Sequence, residues 1–452
     1  MTVHRTLAGK LAFPGLLIIV FALYSAIRIV NLAAAVERVK STADTPAYLR
    51  ISQGSVLSRD FLAGSRPFVF PGLLKLFGQN EKNVVWAQGL FSIMSWSILA
   101  VSVSASVRTY IAKAAAIGLL LLFSLYRYIL GWDSVLLTES LSLSLLALFI
   151  GGWLWLLLGW RWHKAILLMG VAFLWAFCRD TNAWVLLMIA GALLFLWAIA
   201  VADKKYLVLS AAFGLMFLLS NLSADLGGRW VFPFQNVLGR RLLPDAGAVD
   251  FLAGCGMPVS PALMRLSGEF ANGQDRALYN DPSLEGYRLW LSENGKSCYM
   301  KWLLSDPVRS VVQPLGDFNT FLGVQDLQSF LFSRRFSPVL PGRIEALLIV
   351  QQQALLVFLL ASAMAVMAVR ARAWLKNKAW WVAILMTFLV LPHFFIIWHG
   401  DTLGIERHAV PAGIQLYLGM WIMVLLVLDR FLELLHTRKA VSDLHLSRNE
   451  QQ

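Results

Sequence analysis

The sequence predicts an all-α polytopic membrane protein with about ten transmembrane helices. Hydrophobic residues make up 58% of the 452 residues and charged residues only 14%, whereas a soluble domain is nearer half apolar and a quarter charged. The apolar residues form segments of about 20 residues, and the basic residues lie in short clusters between those segments. This pattern is typical of lipid-embedded helices, and it argues against a nucleic-acid partner despite the formal net charge of +13.

Apolar segments long enough to cross a hydrocarbon core of roughly 30 Å follow one another along the chain. Nine are full length: 11–30, 84–105, 114–130, 135–158, 183–201, 206–222, 346–369, 379–398 and 409–428. A tenth, 165–178, is shorter, because fourteen helical residues rise only about 21 Å. Unless its helix continues past residue 180, Arg179 and Asp180 lie within the outer leaflet, where charges need partners or a wet cavity. The alternative is a turn from which Arg179 extends to the interface.

The basic residues predict how these segments are oriented. Alternate links carry them: Arg5, Lys10, Arg108, Lys113, Arg161, Lys164, Lys204, Lys205, 370–378 and 436–439. By the positive-inside rule these links are cytoplasmic, so both termini are expected on the cytoplasmic side. The protein is expected to be integral to the plasma (inner) membrane. The remaining links then face the periplasm or cell exterior: 31–83, 131–134, 179–182, 223–345 and 399–408.

Four parts of the chain follow from this arrangement. They are an N-terminal module of seven spans, 1–222, which contains the first outward loop 31–83; a large extracytoplasmic loop, 223–345; a C-terminal three-span module, 346–430; and a cytoplasmic tail, 431–452. Aromatic and Leu residues at helical spacing in 287–303 predict a mainly helical large loop. Cys255 and Cys298 share that loop, and the sequence leaves open whether they form a disulfide.

Ionisable residues are nearly absent from the interior of the predicted spans. Within the nine full-length segments Asp, Glu, Lys and Arg are limited to Arg28, Arg127 and Glu139, all near predicted outer ends. Ion-coupled carriers usually place an ionisable group near the midplane, so a proton- or sodium-driven transporter is disfavoured.

Polar and charged residues gather instead in or beside four of the outward links. The candidates are Asp44, Tyr48, Arg66, Asp133, Glu139, Arg179, Asp180, Asp401, Arg407 and His408. Because these links are expected at one depth, we predict a single constellation at the outer face. Guanidinium groups match phosphate oxygens in bidentate geometry, and a carboxylate can accept the proton of an attacking hydroxyl. Such a site suits a lipid-linked phosphate substrate.

Five short patterns carry several of these residues in a fixed order: Asp44-x-x-x-Tyr48, Arg66-Pro67-x-x-x-Pro71, Leu136-x-x-Glu139, Arg179 after the short fifth segment, and Arg407-His408-x-x-Pro411. In order and sidedness they resemble the GT-C superfamily of integral-membrane glycosyltransferases, in particular bacterial members related to protein mannosyltransferases and to aminoarabinose transfer onto lipid A. Two positions depart from the family pattern. Thr45 stands where a second acid is common, and His408 where Tyr is common.

The resemblance implies inverting transfer of a sugar from a polyprenyl-phosphate carrier to a lipid, glycan or protein acceptor. Asp44 would be the general base, and Arg179 and Arg407 would hold the leaving phosphate. Glu139, Asp133 or Asp401 would orient the sugar or help to bind a divalent cation such as Mg²⁺ or Mn²⁺. The departure at Thr45 leaves the metal open. Membrane lipids are the other expected partners.

Simpler roles compete with several of these assignments. Asp44, two residues before Pro46, is an ordinary helix N-cap, and Glu139 could act only on the dipole of the helix it opens. Two other functions also stay open. A polyprenyl-lipid flippase would need no catalysis, and a polysaccharide ligase or polymerase would depend on basic residues of the large loop such as Arg240, Arg241, Arg334 and Arg335.

Overall fold

A computed structural model describes residues 7–323 and 339–449, which are predominantly α-helical. Its helices are α1 (Leu7–Val36), α2 (Thr45–Gln53), α3 (Arg59–Ala63), α4 (Val69–Leu76), α5 (Glu81–Ser106), α6 (Tyr110–Ser124), α7 (Arg127–Leu130), α8 (Thr138–Leu157), α9 (Trp162–Ala176), α10 (Asp180–Ala198), α11 (Lys205–Leu226), α12 (Val231–Val237), α13 (Ala246–Gly254), α14 (Pro261–Met264), α15 (Ala277–Asn280), α16 (Glu285–Trp290), α17 (Lys296–Ser305), α18 (Pro307–Gly316), α19 (Phe318–Leu322), α20 (Gly342–Leu348), α21 (Ala354–Arg370), α22 (Ala379–Gly400) and α23 (Ile405–Asn449). Shorter turns include a 3₁₀ turn at Gly131–Ser134 and a π-helical turn at Leu238–Leu242.

Seven of the described helices are long and apolar enough to cross a membrane. They are Leu17–Val36 within α1, then α5, α8, α10, α11, α22 and Ile405–Thr437 within α23. The prediction of an all-helical, polytopic membrane protein is therefore confirmed at this level. The bent pair Tyr110–Ser124 and Arg127–Ser134 makes an eighth if it is one span, and the short apolar helices α9 and α21 occupy most of two further predicted segments.

Large apolar side chains on several of these helices are not covered by protein. Ile18 on α1 is 70% exposed and Leu218 on α11 is 61% exposed. Contiguous apolar surface of this kind is costly in water and favourable against lipid tails. By contrast α8, which packs against α5, is largely buried inside the helix assembly.

Two predicted spans are interrupted in the structure. Segment 114–130 is divided between α6 and the α7 turn, which meet at 57°. Segment 346–369 is divided by a turn between Leu348 and Ala354, where Gln352 has a φ of 58° that a right-handed helix cannot contain. Sequence hydropathy missed both breaks, because apolar residues continue on either side of each.

The large loop has a hydrophobic core of its own. Buried residues from Phe234 to Trp302 pack together apart from the core of the membrane helices. Cys255 and Cys298 are both free thiols in this core, with the Cys298 Sγ donating to the Cys255 carbonyl at 3.7 Å. Residues 324–338, which belong to the same predicted loop, lie outside the described residues.

The last helix extends well beyond the final predicted span. It begins at Ile405 and continues to Asn449, through most of the predicted tail 431–452. Within that helix Asp429 accepts hydrogen bonds from the Arg108 and Thr109 amides just before α6. The segment predicted as a tail therefore begins, at residue 431, inside the final apolar helix.

The end of α11 holds the segment that leads to Arg66. The Ser223 hydroxyl donates to the Leu62 carbonyl at 2.7 Å, and Arg229 Nη1 donates to the Gly64 carbonyl at 3.1 Å. Gly227 lies so close to this segment that an added Cβ would stand 2.2 Å from the Gly64 carbonyl oxygen. These contacts connect the seventh predicted span with the first outward loop.

We expect Gly227→Ala to destabilise the protein by about 1–3 kcal/mol, the usual cost of overpacking. The methyl group would meet backbone atoms that cannot move aside as a flexible side chain can. Chemical denaturation in detergent measures this change. Gly214→Ala in α11 is the matched control, because nothing lies within 4 Å of its added Cβ. Equal stability of the two variants would contradict the close contact.

Candidate functional site

Two segments that lead to acidic candidates run side by side. The Lys40 amide donates to the Ser134 carbonyl at 2.9 Å, and the Leu136 amide donates to the Lys40 carbonyl at 3.0 Å. The Thr45 hydroxyl also donates to the Leu136 carbonyl at 3.1 Å. Because α2 begins at Thr45 and α8 at Thr138, this pairing brings the starts of both helices together.

Asp44 occupies the N-cap position of α2, but its side chain makes no capping hydrogen bond. Its two oxygens instead accept from two arginines: Arg66 Nη2 at 2.5 Å and Arg407 Nη1 at 2.9 Å. The carboxylate is one-quarter exposed. The simple capping role therefore does not describe how this side chain is used.

Glu139 lies in the first turn of α8, and its carboxylate is almost fully buried. Its Oε1 is 3.4 Å from Arg179 Nη1 and 3.5 Å from Arg407 Nε. The carboxylate thus lies at a helix N-terminus and within 3.5 Å of two guanidinium groups. Arg407 thus lies between the two carboxylates.

His408 completes the cluster. Its Nδ1 is 2.6 Å from Arg179 Nη2, and its Nε2 is 3.5 Å from Arg407 Nη2. A guanidinium group can only donate, so Nδ1 accepts and the imidazole is neutral in this arrangement. We call Asp44, Arg66, Glu139, Arg179, Arg407 and His408 the arginine–carboxylate cluster.

Tyr48 lies one turn beyond Asp44 and forms part of the wall of this cluster. Its ring meets the Phe70 ring edge-on at 5.2 Å, and the Arg66 guanidinium is 5.6 Å from its centroid. Burial raises the pKa of Tyr48 to about 12. The phenol therefore stays protonated, and its contribution is packing and a cation–π contact.

Two predicted site residues, Asp133 and Asp180, are directed away from the cluster. Asp133 forms a buried ion pair with Arg28 at 2.7 Å. Asp180 binds Arg229 with both oxygens at 2.9 Å. In each case a basic residue from another part of the chain is a closer partner than the cluster, so the predicted single constellation includes neither carboxylate.

Asp401 has a separate set of partners. Its Oδ1 accepts from the Asn236 amide at 2.9 Å and from the backbone amides of Thr402 and Leu403. Burial raises the pKa of Asp401, although these hydrogen bonds and the charge of Arg407 oppose the shift. The residue caps the turn before α23 and thereby holds the segment that carries Arg407.

Sequence reasoning did not identify Arg229 or Asn236. Arg229 follows α11 directly on a link predicted to face outward, where a basic residue departs from the positive-inside pattern. That departure was a signal. Asn236 had no comparable one, because an amide in a polar loop is unremarkable until its partner Asp401 is known.

The cluster carries an excess of positive charge. Three guanidinium groups face two carboxylates, while His408 is neutral, which leaves one net positive charge. Arg66 Nε and Arg179 Nη1 are buried and make no hydrogen bond within the described part of the chain. Side-chain exposure falls from 35% at Arg66 to 3% at Glu139, so the cluster opens on the Arg66 side. An anion that approached from that side would meet the Arg66 guanidinium first.

Asp44 is held ionised by this charge. Burial alone would raise its pKa, but Arg66 and Arg407 outweigh burial and lower the pKa below the usual 3.8. A carboxyl whose pKa is depressed by folding stabilises the folded state above its unfolded pKa, and this contribution is lost as the pH falls through the folded pKa.

We therefore expect wild type to melt at a higher temperature than Asp44→Asn at neutral pH. The difference should shrink as the pH is lowered below 3.8, where the wild-type carboxyl begins to be protonated. Thermal unfolding in detergent at a series of pH values measures it. A difference that is independent of pH would contradict the charge pairing of Asp44 with Arg66 and Arg407.

The residues present do not fit a divalent cation. Across residues 7–323 and 339–449, no three or more His, Cys, Asp or Glu side chains are grouped so as to hold a metal ion. Both carboxylates of the cluster are engaged by guanidinium groups, whose positive charge opposes a second cation. We therefore assign no step to Mg²⁺ or Mn²⁺.

No protein-family model matches this chain, and no curated protein matches it in sequence.

Proposed function

We propose that this chain is an inverting membrane glycosyltransferase that moves a sugar from a polyprenyl-phosphate donor to a lipid, glycan or protein acceptor outside the cytoplasm. The observation that carries the proposal is the arginine–carboxylate cluster. Arginines from three distant parts of the chain meet two carboxylates, and the buried Arg66 Nε makes no hydrogen bond in the described structure. The chain would cross the membrane ten times, with both termini cytoplasmic and the cluster at the outer face.

The donor would enter as a phosphodiester with one negative charge, equal to the excess positive charge of the cluster. Arg179 and Arg407 would take the phosphate oxygens, and the apolar helix surfaces would take the polyprenyl chain. Guanidinium groups in a partly buried site stabilise the charge that develops on a leaving phosphate. Arg66, at the more exposed end, would guide the phosphate in.

The transfer step then needs one base. The acceptor hydroxyl attacks the anomeric carbon and gives its proton to Asp44, while the bond from that carbon to the phosphate oxygen breaks. Its electron pair leaves on polyprenyl phosphate, and attack from the opposite face inverts the anomeric centre. Within the cluster Arg66 and Arg407 lower the pKa of Asp44. When the phosphate engages those arginines, their hold on Asp44 weakens and its basicity rises.

The test is a transfer assay with purified protein in liposomes that contain polyprenyl-phosphate sugars with a radiolabelled sugar. Acceptor lipids, glycans and proteins are supplied as fractions of a cell envelope. The proposal expects label in one acceptor fraction, an equal amount of free polyprenyl phosphate, and inverted anomeric configuration by NMR. Donor that crosses the bilayer with its sugar–phosphate bond intact would instead identify a flippase.

The loop arginines separate a transferase from a polysaccharide ligase or polymerase. Arg240 Nη1 donates to the Gly268 carbonyl at 2.6 Å, and Arg241 donates to the Trp398 carbonyl while stacking on its ring at 3.4 Å. Both are thus occupied by the protein itself, which supports the transferase. Arg334 and Arg335 lie outside the described residues.

We accordingly expect Arg240→Ala to retain transfer activity, since its guanidinium is exposed and contacts a loop carbonyl and the Phe270 ring, both within the large loop. The same radiolabel assay measures it beside Asp44→Asn. A ligase that depends on loop arginines predicts the reverse order: loss in Arg240→Ala and activity in Asp44→Asn.

A further inference from the structure

A buried ion pair is formed by two residues that do not belong to the cluster, one of which, Asp133, lies close in sequence to Glu139. Arg28 of α1 and Asp133 of the 3₁₀ turn are joined at 2.7 Å, with side chains 1% and 6% exposed. Desolvating two charges opposes their mutual attraction, so an apolar pair of similar volume is often as stable. Stability by itself therefore does not explain the pair, and its other contacts are informative.

Arg28 ties together three elements around α1. Its Nη1 donates to the Ser124 carbonyl at 2.8 Å, which lies at the break between α6 and α7. Its Nη2 donates to the Ser92 hydroxyl of α5 at 2.7 Å. The guanidinium thus satisfies a carbonyl that the broken helix leaves without a helical partner.

Asp133 connects this arrangement to the start of α8. Its Oδ1 accepts from the Ser140 hydroxyl at 2.5 Å, one residue beyond Glu139. Gln88 of α5 holds the same turn by donating to the carbonyls of Asp133 and Val135 at 2.7 and 3.0 Å. Segment 133–136 is therefore fixed from both the α1 side and the α5 side.

The same segment is the one that pairs with the chain before Asp44. Lys40 bonds Ser134 and Leu136 through the backbone, and Thr45 bonds Leu136. A shift of this segment would move Asp44 and Glu139 relative to the arginines that contact them.

The space beside the ion pair is about 10 Å³. That is room for at most one water molecule, and far less than a sugar or phosphate needs. Asp133 is therefore better explained as a support than as part of a substrate-binding site.

We infer that Arg28 and Asp133 are positioning residues, whose ion pair sets the separation and orientation of Asp44 and Glu139. The inference rests on the proposed function for its catalytic consequence, but its structural content can be tested without substrate. In this role the two residues position other side chains and do not themselves contact a ligand.

The test is the double variant Arg28→Met/Asp133→Leu, which removes both charges and leaves neither unpaired. We expect a modestly lower unfolding temperature, because the Ser124 carbonyl and the Ser140 hydroxyl lose their buried partners. We also expect an unchanged donor KM and a kcat lower by roughly 10²-fold, since small misplacement of catalytic groups has effects of that size. Glu37→Leu/Lys82→Met is the matched control. It removes an exposed ion pair near the same loop and should leave kcat unchanged. A folded double variant with wild-type kcat overturns the inference.

Hydrogen–deuterium exchange gives the readout that needs no reaction. The Lys40 and Leu136 amides should exchange faster in the double variant than in wild type. If the double variant does not fold, the same faster exchange is expected in the milder single variant Asp133→Asn. Unchanged exchange at 38–45 and 131–139 overturns the inference. If wild type cleaves no donor, the proposed function fails, and exchange at these amides still decides whether the pair is a positioning device.

Discussion

Replacing Asp44 by asparagine is expected to slow sugar transfer by about 10²–10⁴-fold, the range associated with losing a general base. Asparagine has nearly the same shape and can still accept a hydrogen bond from Arg66 or Arg407, so the cluster should keep its geometry. The amide cannot take the acceptor proton. Initial rates at matched expression, with labelled donor and saturating acceptor, measure the change.

The matched control is Asp60→Asn, in the same outward loop. Asp60 lies in the first turn of α3 and is exposed, so it tests whether loss of any acid from this loop slows transfer. We expect wild-type rates for this variant. Should Asp44→Asn transfer sugar as fast as wild type, Asp44 is a partner of Arg66 and Arg407 only, and the general base must be sought elsewhere.

Arg407→Lys is expected to lower kcat by about 10²–10³-fold, comparable with removal of a donor that stabilises developing negative charge. Arg407 contacts Asp44 through Nη1 and approaches Glu139 through Nε. A lysine ammonium is a compact point charge that cannot meet both carboxylates and a phosphate in this fork geometry. Because the charge is retained, loss of activity would report geometry rather than net charge.

The comparison for this variant is Arg50→Lys, an exposed arginine at the end of α2. Its rate should equal that of wild type. Release of polyprenyl phosphate and labelling of acceptor should fall together in Arg407→Lys, since both follow from the same bond cleavage. Wild-type kcat in Arg407→Lys would remove the leaving-group role from the proposal.

Much of the architecture followed from local sequence. Long apolar segments must satisfy their backbone groups internally when no water is present, so they predict helices without knowledge of tertiary contacts. The same reasoning could not detect the turn around Gln352 or the break after Ser124, because hydropathy averages over a window and a single left-handed residue does not change it.

The sequence by itself also determined which polar residues are candidates for a site. Glu139, Arg179 and Arg407 each stand at the end of an apolar segment and Asp44 lies in the link after the first one, and the structure brings all four into one cluster. Charged side chains at the same end of packed helices need partners and find them in one another. The position of each residue along the chain therefore already indicated that the four lie close together.

Only the tertiary structure decided which charge pairs with which. Asp133, Asp180 and Asp401 occupy the same links as the cluster residues, yet bind Arg28, Arg229 and Asn236 respectively. Ion pairing depends on distances of a few ångströms between side chains far apart in the chain, and it falls off steeply as water enters between them. Sequence position restricts each carboxylate to one end of a helix, and the packing of neighbouring helices then selects its partner.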